Sequence, residues 1–442
     1  MCHVVRTRLS LLARFGWIVL LLPVLAACGS SGNGGTIAWR ELPTPTQVPP
    51  TPDPDAGSTP TRTPTILTDA EIAQYRPNEL GRIPILMYHG FTSDPQHTNT
   101  WTVTFDRFRA DLEWLHDRGF YVISMADMIN NEISAPPGKH PVVLTFDDAS
   151  SKQFRLNKGP DGALTPDPHS AVGVMEAFFA EHPDFGRGGM FAVLPINCFR
   201  YPEAETTCEE RLTWLDDHGY EIANHTWDHQ NLADVSDETL LDEVGATKIW
   251  IDERVRGDGN LGNVLVLPFG EWPGHDRQVL LLKDGFIYGG QQIILAGIVG
   301  VTGGASPSPS AGTWTRWNIS RFNTDPELMA YWQDLIDTRQ VTLFTSDGHP
   351  ETVTIPDPIP ADLEKYWDPE WASSYGMQVI RYDASALPDR DLETPDDVLP
   401  PEPDSEGTPP SVDIPAGATP PHSEGSSATP SATPSPGRRT EE

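Results

Sequence analysis

The sequence predicts an α/β protein, a barrel of about seven parallel strands between two Pro-rich ends. Three observations carry this. Apolar runs rich in β-branched residues alternate with helically spaced apolar residues through the middle of the chain. The prolines crowd at its ends. Carboxylates and histidines stand just beyond apolar strands rather than inside them.

The N-terminus sets the compartment. Arg6, Arg8 and Arg14 precede an apolar run from Phe15 to Ala27 that closes on Leu25-Ala26-Ala27-Cys28 and Gly29. A charged leader, an apolar stretch and a small-residue cleavage site make residues 1–28 a signal peptide. Cysteine directly after Leu-Ala-Ala resembles the bacterial lipobox, which implies a lipidated Cys28 at the outer face of the cell membrane. A plain secretory signal and an uncleaved anchor are the alternatives, and each puts the globular part outside the cytoplasm. Residues 29–65 form a Pro/Thr-rich linker, and residues 388–442 a tail of Pro, Ser, Thr and acidic residues. Neither can bury enough apolar area to offset chain entropy, which leaves residues 66–387 as the folded domain.

The 442 residues carry a formal charge of -33, from 30 basic and 63 acidic side chains. A polyanion gains nothing from counterion release on meeting another, which argues against nucleic acid and anionic lipid as partners and leaves neutral or cationic ones. Of the four cysteines, Cys2 and Cys28 belong to the signal. Cys198 and Cys208 remain, and outside the cytoplasm they are expected to pair in a disulfide, since as metal ligands they would be an incomplete set.

Along the core, the expected strands are Ile83 to Tyr88, Tyr121 to Ile123, Val142 to Phe146, Met190 to Leu194, Tyr220 to Ala223, Val264 to Leu267 and Phe286 to Tyr288. The intervening helices carry Phe105, Phe108, Leu112 and Leu115, then Ala171 to Ala180, Cys208 to His218, Asp237 to Val255 and His275 to Lys283. Alternating strand and helix means parallel βα units with right-handed crossovers. Function in such a barrel gathers at the C-terminal strand ends.

At one of those ends lies Leu144-Thr145-Phe146-Asp147-Asp148, and two adjacent carboxylates are costly unless a cation or proton separates their charges. After Tyr220 to Ala223 comes Asn224-His225-Thr226-Trp227-Asp228-His229. On a helical turn, histidines four apart share one face and can chelate one ion. Together these residues supply the two imidazoles and the carboxylate of a catalytic divalent site with positions open for water.

The runs Thr145-Phe146-Asp147-Asp148 and His225-Thr226-Trp227-Asp228-His229 resemble the first two motifs of the polysaccharide deacetylases, the NodB-homology group of carbohydrate esterases. Pro84 to Gly90 resembles the opening strand of that domain, and Pro268-Phe269-Gly270 the core of its third motif. The resemblance runs from about Arg82 to Phe322 and implies a distorted (β/α) barrel. It makes Asp147 the general base, Asp148, His225 and His229 the ligands of one divalent metal ion, and Pro268, Phe269 and Gly270 part of the substrate site. Zinc is the first expectation for the metal, with cobalt, nickel and manganese also suited to two imidazoles and a carboxylate. The implied activity is hydrolysis of a carbon–nitrogen or ester bond in an acetylated polysaccharide or peptidoglycan. A carbohydrate-binding lipoprotein and a small-amide hydrolase are the alternatives.

The chain departs from the family's pattern in three places. Ala149 replaces the usual glycine. Val266 stands where many members have the arginine that orients the base, and Arg321, or else Arg316, is the substitute. No Leu-x-His motif supplies the catalytic acid, for which His89 and His349 are candidates. The insertion from Ser150 to Ser170 borders the expected mouth, and Trp227, Trp272, Trp314 and Trp317 are candidates for stacking on sugar rings.

Overall fold

The computed structural model describes residues 66–201, 205–255, 261–370 and 376–387. The signal peptide with Cys28, the 29–65 linker and the 388–442 tail lie outside the described residues. Among the described residues no helix is long and apolar enough to cross a membrane.

One sheet organises the domain. Its strands are β1 (Ile85–Tyr88), β2 (Phe120–Val122), β3 (His140–Phe146), β4 (Met190–Val193), β5 (Glu221–Asn224), β6 (Val264–Val266), β7 (Gly297–Val299) and β8 (Phe322–Asn323). The order β7-β6-β5-β4-β3-β1-β8 is parallel throughout. β2 pairs with the first half of β3, Phe120 opposite His140. The ring closes through the chain entering β8: Ile319 N donates to Ile298 O at 2.9 Å, and Gly300 N to Ile319 O at 3.0 Å. The result is a distorted (β/α) barrel.

Outside the strands lie α1 (Phe105–Asp117), α2 (Met125–Asn130), α3 (Ala171–Glu181), α4 (Cys208–Asp217), α5 (Asp237–Asp252), α6 (Asp276–Asp284) and α7 (Pro326–Asp337). Their starts are written locally. Thr104, Ser124, Ser170, Thr207 and Asp325 each accept a backbone N–H of the first turn, replacing a bond the helix cannot make for itself. α5 carries one π turn, Asp242–Ala246.

The period of two along each strand sorts the core into two layers. Leu86, Tyr88, Leu144, Phe146, Phe191 and Ile222 face outward under Phe108, Leu112, Phe178 and Leu215 of the helices. Ile85, Val143, Met190, Ala192, Ala223, Val266, Val299 and Ile319 face inward and fill the barrel. The inward residues are mostly small, which leaves room at the top of the barrel for polar side chains.

Two expectations change. Phe286–Tyr288 is a strand but not a barrel strand: it pairs antiparallel with Gln291–Ile293. The connection is Gly289-Gly290, both at positive φ (56° and 81°), the two-residue hairpin turn that β-branched residues cannot make. Gly297–Val299 takes its place in the barrel, and the two residues of β8 complete the sheet. The insertion after β3 is also ordered, as the antiparallel pair Leu156–Lys158 and Leu164–Pro166. It packs on the loop closed by the Cys198–Cys208 disulfide (Cα–Cα 5.9 Å), Tyr201 Oη and Thr206 Oγ1 both donating to Leu156 O.

Candidate active site

The site grows from the end of β3. Val143, Thr145 and Asp147 continue the inward alternation, so Asp147 points into the mouth of the barrel, where it is 2% exposed. Ile319 and Arg321 obey the same alternation on the closing strand, and the two inward series meet. Arg321, fully buried, donates from Nη1 to Asp147 Oδ1 at 2.7 Å and from Nη2 to Oδ2 at 2.8 Å. Nη1 also reaches Thr145 Oγ1 at 3.0 Å, and Nε reaches Gly300 O at 3.2 Å. The two-pronged geometry fixes the carboxylate in rotation as well as position. Burial pushes the Asp147 carboxyl up, but the Arg321 guanidinium outweighs it and holds the group well below the usual carboxylate range. Of the two candidate arginines, Arg321 is thus the one that meets Asp147.

Asp148 follows at φ 80° and Ala149 at φ 49°, so the chain turns sharply and aims Asp148 across the mouth. Its Oδ1 lies 3.5 Å from both His225 Nε2 and His229 Nε2. These three side chains offer one ligand atom each within 4.8 Å of one another. The histidines do not sit on a helical turn. Thr226 and His229 have φ of 67° and 66°, and a bent loop brings the rings together at 4.8 Å between centroids.

The donor set fits a divalent cation. His225 Nδ1 bonds Val266 O at 2.9 Å, which places its proton there in the neutral ring. Nε2 is then a lone pair that is buried, has no hydrogen-bond partner and faces a carboxylate oxygen. Such an arrangement is unfavourable unless a proton or a metal cation lies between the two. The 3.5 Å separations also match the edge of a tetrahedron built on bonds of roughly 2.0–2.1 Å, about 3.3 Å. Burial, reinforced by His225, lowers the His229 pKa to about 4, so that ring is held in its ligating form. For His225 burial acts downward, yet Asp148 and Asp147 outweigh it and raise the group, so a bound metal displaces a proton there.

The remaining candidates separate. His89 Nε2 is 3.9 Å from Asp147 Oδ2, while His349 N bonds Asp347 Oδ1 beside the segments that precede β1. Phe269, at φ 59°, sets its ring 4.5 Å from that of His229, while Pro268 is buried, so this turn packs beside the histidine. Gly270, at φ 69°, leaves the space a Cβ would take from Val301. Trp227 is exposed at the rim between the two histidines, Trp314 is buried in the barrel core, and Trp272 and Trp317 pack under α5 and α6.

Sequence reasoning missed the shell behind the histidines. Glu243 accepts from Trp227 N at 2.9 Å, Asp228 N at 3.2 Å and Gln230 Nε2 at 3.1 Å, tying down the loop that carries His229. Asn224 accepts from Thr226 N and donates to Val244 O, a carbonyl in the π turn of α5. Gln153 donates to His89 O and Asp147 O. The signal for Glu243 was its place on the buried stripe Leu240, Val244, Thr247, Ile251, where an acid needs partners.

A family model described as polysaccharide deacetylase matches residues 193–282. The polysaccharide deacetylase homologue YxkH of Bacillus subtilis is 24% identical over 174 residues, 39% of this chain and 52% of that protein; the chain thus spans about half the length of this curated relative. Among solved structures, the Streptococcus pyogenes deacetylase PplD in complex with acetate aligns at a TM-score of 0.42 and 19% identity, over 57% of this chain and 97% of that one. IcaB from Ammonifex degensii aligns at 0.41 and 16%, over 57% and 97%. The matched residues thus run from the end of β4 into α6 and include His225 and His229, while Asp148, which joins the same cluster in the fold, precedes them.

Proposed function

We propose that this chain is a metal-dependent deacetylase that removes acetyl groups from a glycan outside the cytoplasm. The observation that carries the reading is the unpartnered His225 Nε2 facing Asp148 and His229, beside an Asp147 clamped by Arg321. Asp148, His225 and His229 would hold the metal, which when bound polarises the acyl carbonyl and lowers the pKa of water. Asp147 accepts the proton of the attacking water, in the orientation Arg321 imposes. His89 returns a proton from Nε2 to the leaving nitrogen or oxygen as the acyl bond breaks. Its contact with the Trp101 ring, 4.8 Å between centroids, holds the imidazole in place. Exposed Trp227 offers a face for a sugar ring at the rim.

Acetate release by the purified chain from N-acetylglucosamine oligomers, peptidoglycan and acetylxylan tests the reading. Release from at least one, abolished by chelation, is expected. His89→Ala is expected to lower that rate roughly 100-fold with metal content unchanged. No acetate from any of the three by metal-loaded protein would sink the proposal and favour a glycan-binding role. We propose further that Cys28 anchors the chain by a lipid. Cys28→Ser should then leave the membrane fraction or stall in processing, and an unchanged membrane fraction would count against lipidation.

A further inference from the structure

A second cluster stands at the opposite end of the barrel. His116 lies in the last turn of α1, His182 caps the C-terminus of α3, and Asp184 follows on the turn Pro183–Phe185. We propose that these three side chains form a second divalent-cation site, of the zinc type, that staples the ends of α1 and α3 together.

The geometry comes first. One ligand atom of each residue lies within 4.8 Å of the others. His116 Nε2 is 3.2 Å from Asp184 Oδ1, already the edge of about 3.3 Å that a tetrahedron with bonds of roughly 2.0–2.1 Å requires. The two imidazoles are 4.3 Å apart between centroids and tilted by 46°. Phe178 backs both rings, at 6.2 and 4.4 Å, so neither is free to swing away.

The electrostatic setting favours a cation. The C-terminal ends of two helices converge here, each with partial negative charge on its last carbonyls. Asp117 Oδ1 lies 3.7 Å from His116 Nδ1 and adds negative charge beside the ring. His116 Nε2 and Asp184 Oδ1 are hydrogen-bonded at 3.2 Å, and an ion would replace the proton between them. Lys139 Nζ takes the other oxygen of Asp184 at 3.3 Å, which leaves Oδ1 for the site. Asp184 is exposed, so an ion and its waters can enter directly.

The two sites are independent. Lys139 immediately precedes β3 and Asp148 follows its end, and a strand of seven residues rises about 23 Å at roughly 3.3 Å per residue. No ligand is shared.

Zinc stoichiometry of the untagged full-length chain, by equilibrium dialysis and elemental analysis, tests this. Wild type should hold two ions, His225→Ala one, His182→Ala one, and the double variant none. Zinc should raise the melting temperature of His225→Ala and leave that of the double variant unmoved. His182→Gln, with a wild-type circular dichroism spectrum, should match His182→Ala in stoichiometry and so exclude misfolding as the cause. Two ions retained in His182→Ala would overturn the proposal. So would a single wild-type ion that persists in His182→Ala and vanishes in His225→Ala, an outcome that leaves the active-site reading standing. An ion lost only with His182 would support the second site and count against the first.

Discussion

Arg321→Met is expected to lower stability and activity together. It leaves Asp147 buried at the mouth without the guanidinium that now occupies both of its oxygens. Breaking a buried pair by removing one partner costs about 3–5 kcal/mol, because the charge left behind is neither solvated nor paired. Replacing both partners by apolar residues costs far less, so Asp147→Leu with Arg321→Met should regain most of the lost stability. Activity should not return with it, since the base is gone. Urea unfolding of the two variants in chelator, beside acetate release, separates the roles. A double variant no more stable than Arg321→Met would show that the pair does not act as a unit.

The second large effect distinguishes the adjacent carboxylates. Asp148 faces His225 and His229, whereas Asp147 faces Arg321, so only the first should matter for metal retention. Asp148→Ala, His225→Ala and His229→Ala should lose metal and activity together. Asp147→Asn keeps the size of the side chain, so metal should stay bound while the hydrolytic rate falls by roughly two or more orders of magnitude. Glu243→Gln belongs in the same titration. It weakens the three bonds that hold the His229 loop and should reduce metal affinity about 10-fold without abolishing binding. If Asp147→Asn loses the metal while Asp148→Ala keeps it, the two roles are reversed.

Local sequence settled more than the strand list alone implies. The pairing of Thr145-Phe146-Asp147-Asp148 with two histidines four apart pointed to the cluster of Asp148, His225 and His229 that the fold brings together, because strand ends and short loops are specified by residues near one another in the chain. Alternation along β3 placed Asp147 inward for the same reason. The disulfide partners were legible in the cysteine count. The same local logic misled at Phe286–Tyr288, where a β-branched run formed a hairpin because Gly289-Gly290 turns the chain straight back.

The choice of arginine belonged to the tertiary structure. Arg321 and Asp147 are 174 residues apart, and they meet because the register of the closing strand puts two inward alternations at the same height. His89 was indistinguishable from His349 until the parallel pairing of β1 with β3 carried it to the mouth. Glu243 reaches the loop that carries His229 from the π turn of α5, and the Val244 carbonyl in that turn accepts from Asn224. The sequence by itself therefore determined which carboxylates and imidazoles stand at the strand ends, since that is a property of residues and their neighbours. Only barrel closure decided which distant side chains orient them, because that depends on strand register and helix phase, quantities that burial in the assembled core selects and no local pattern encodes.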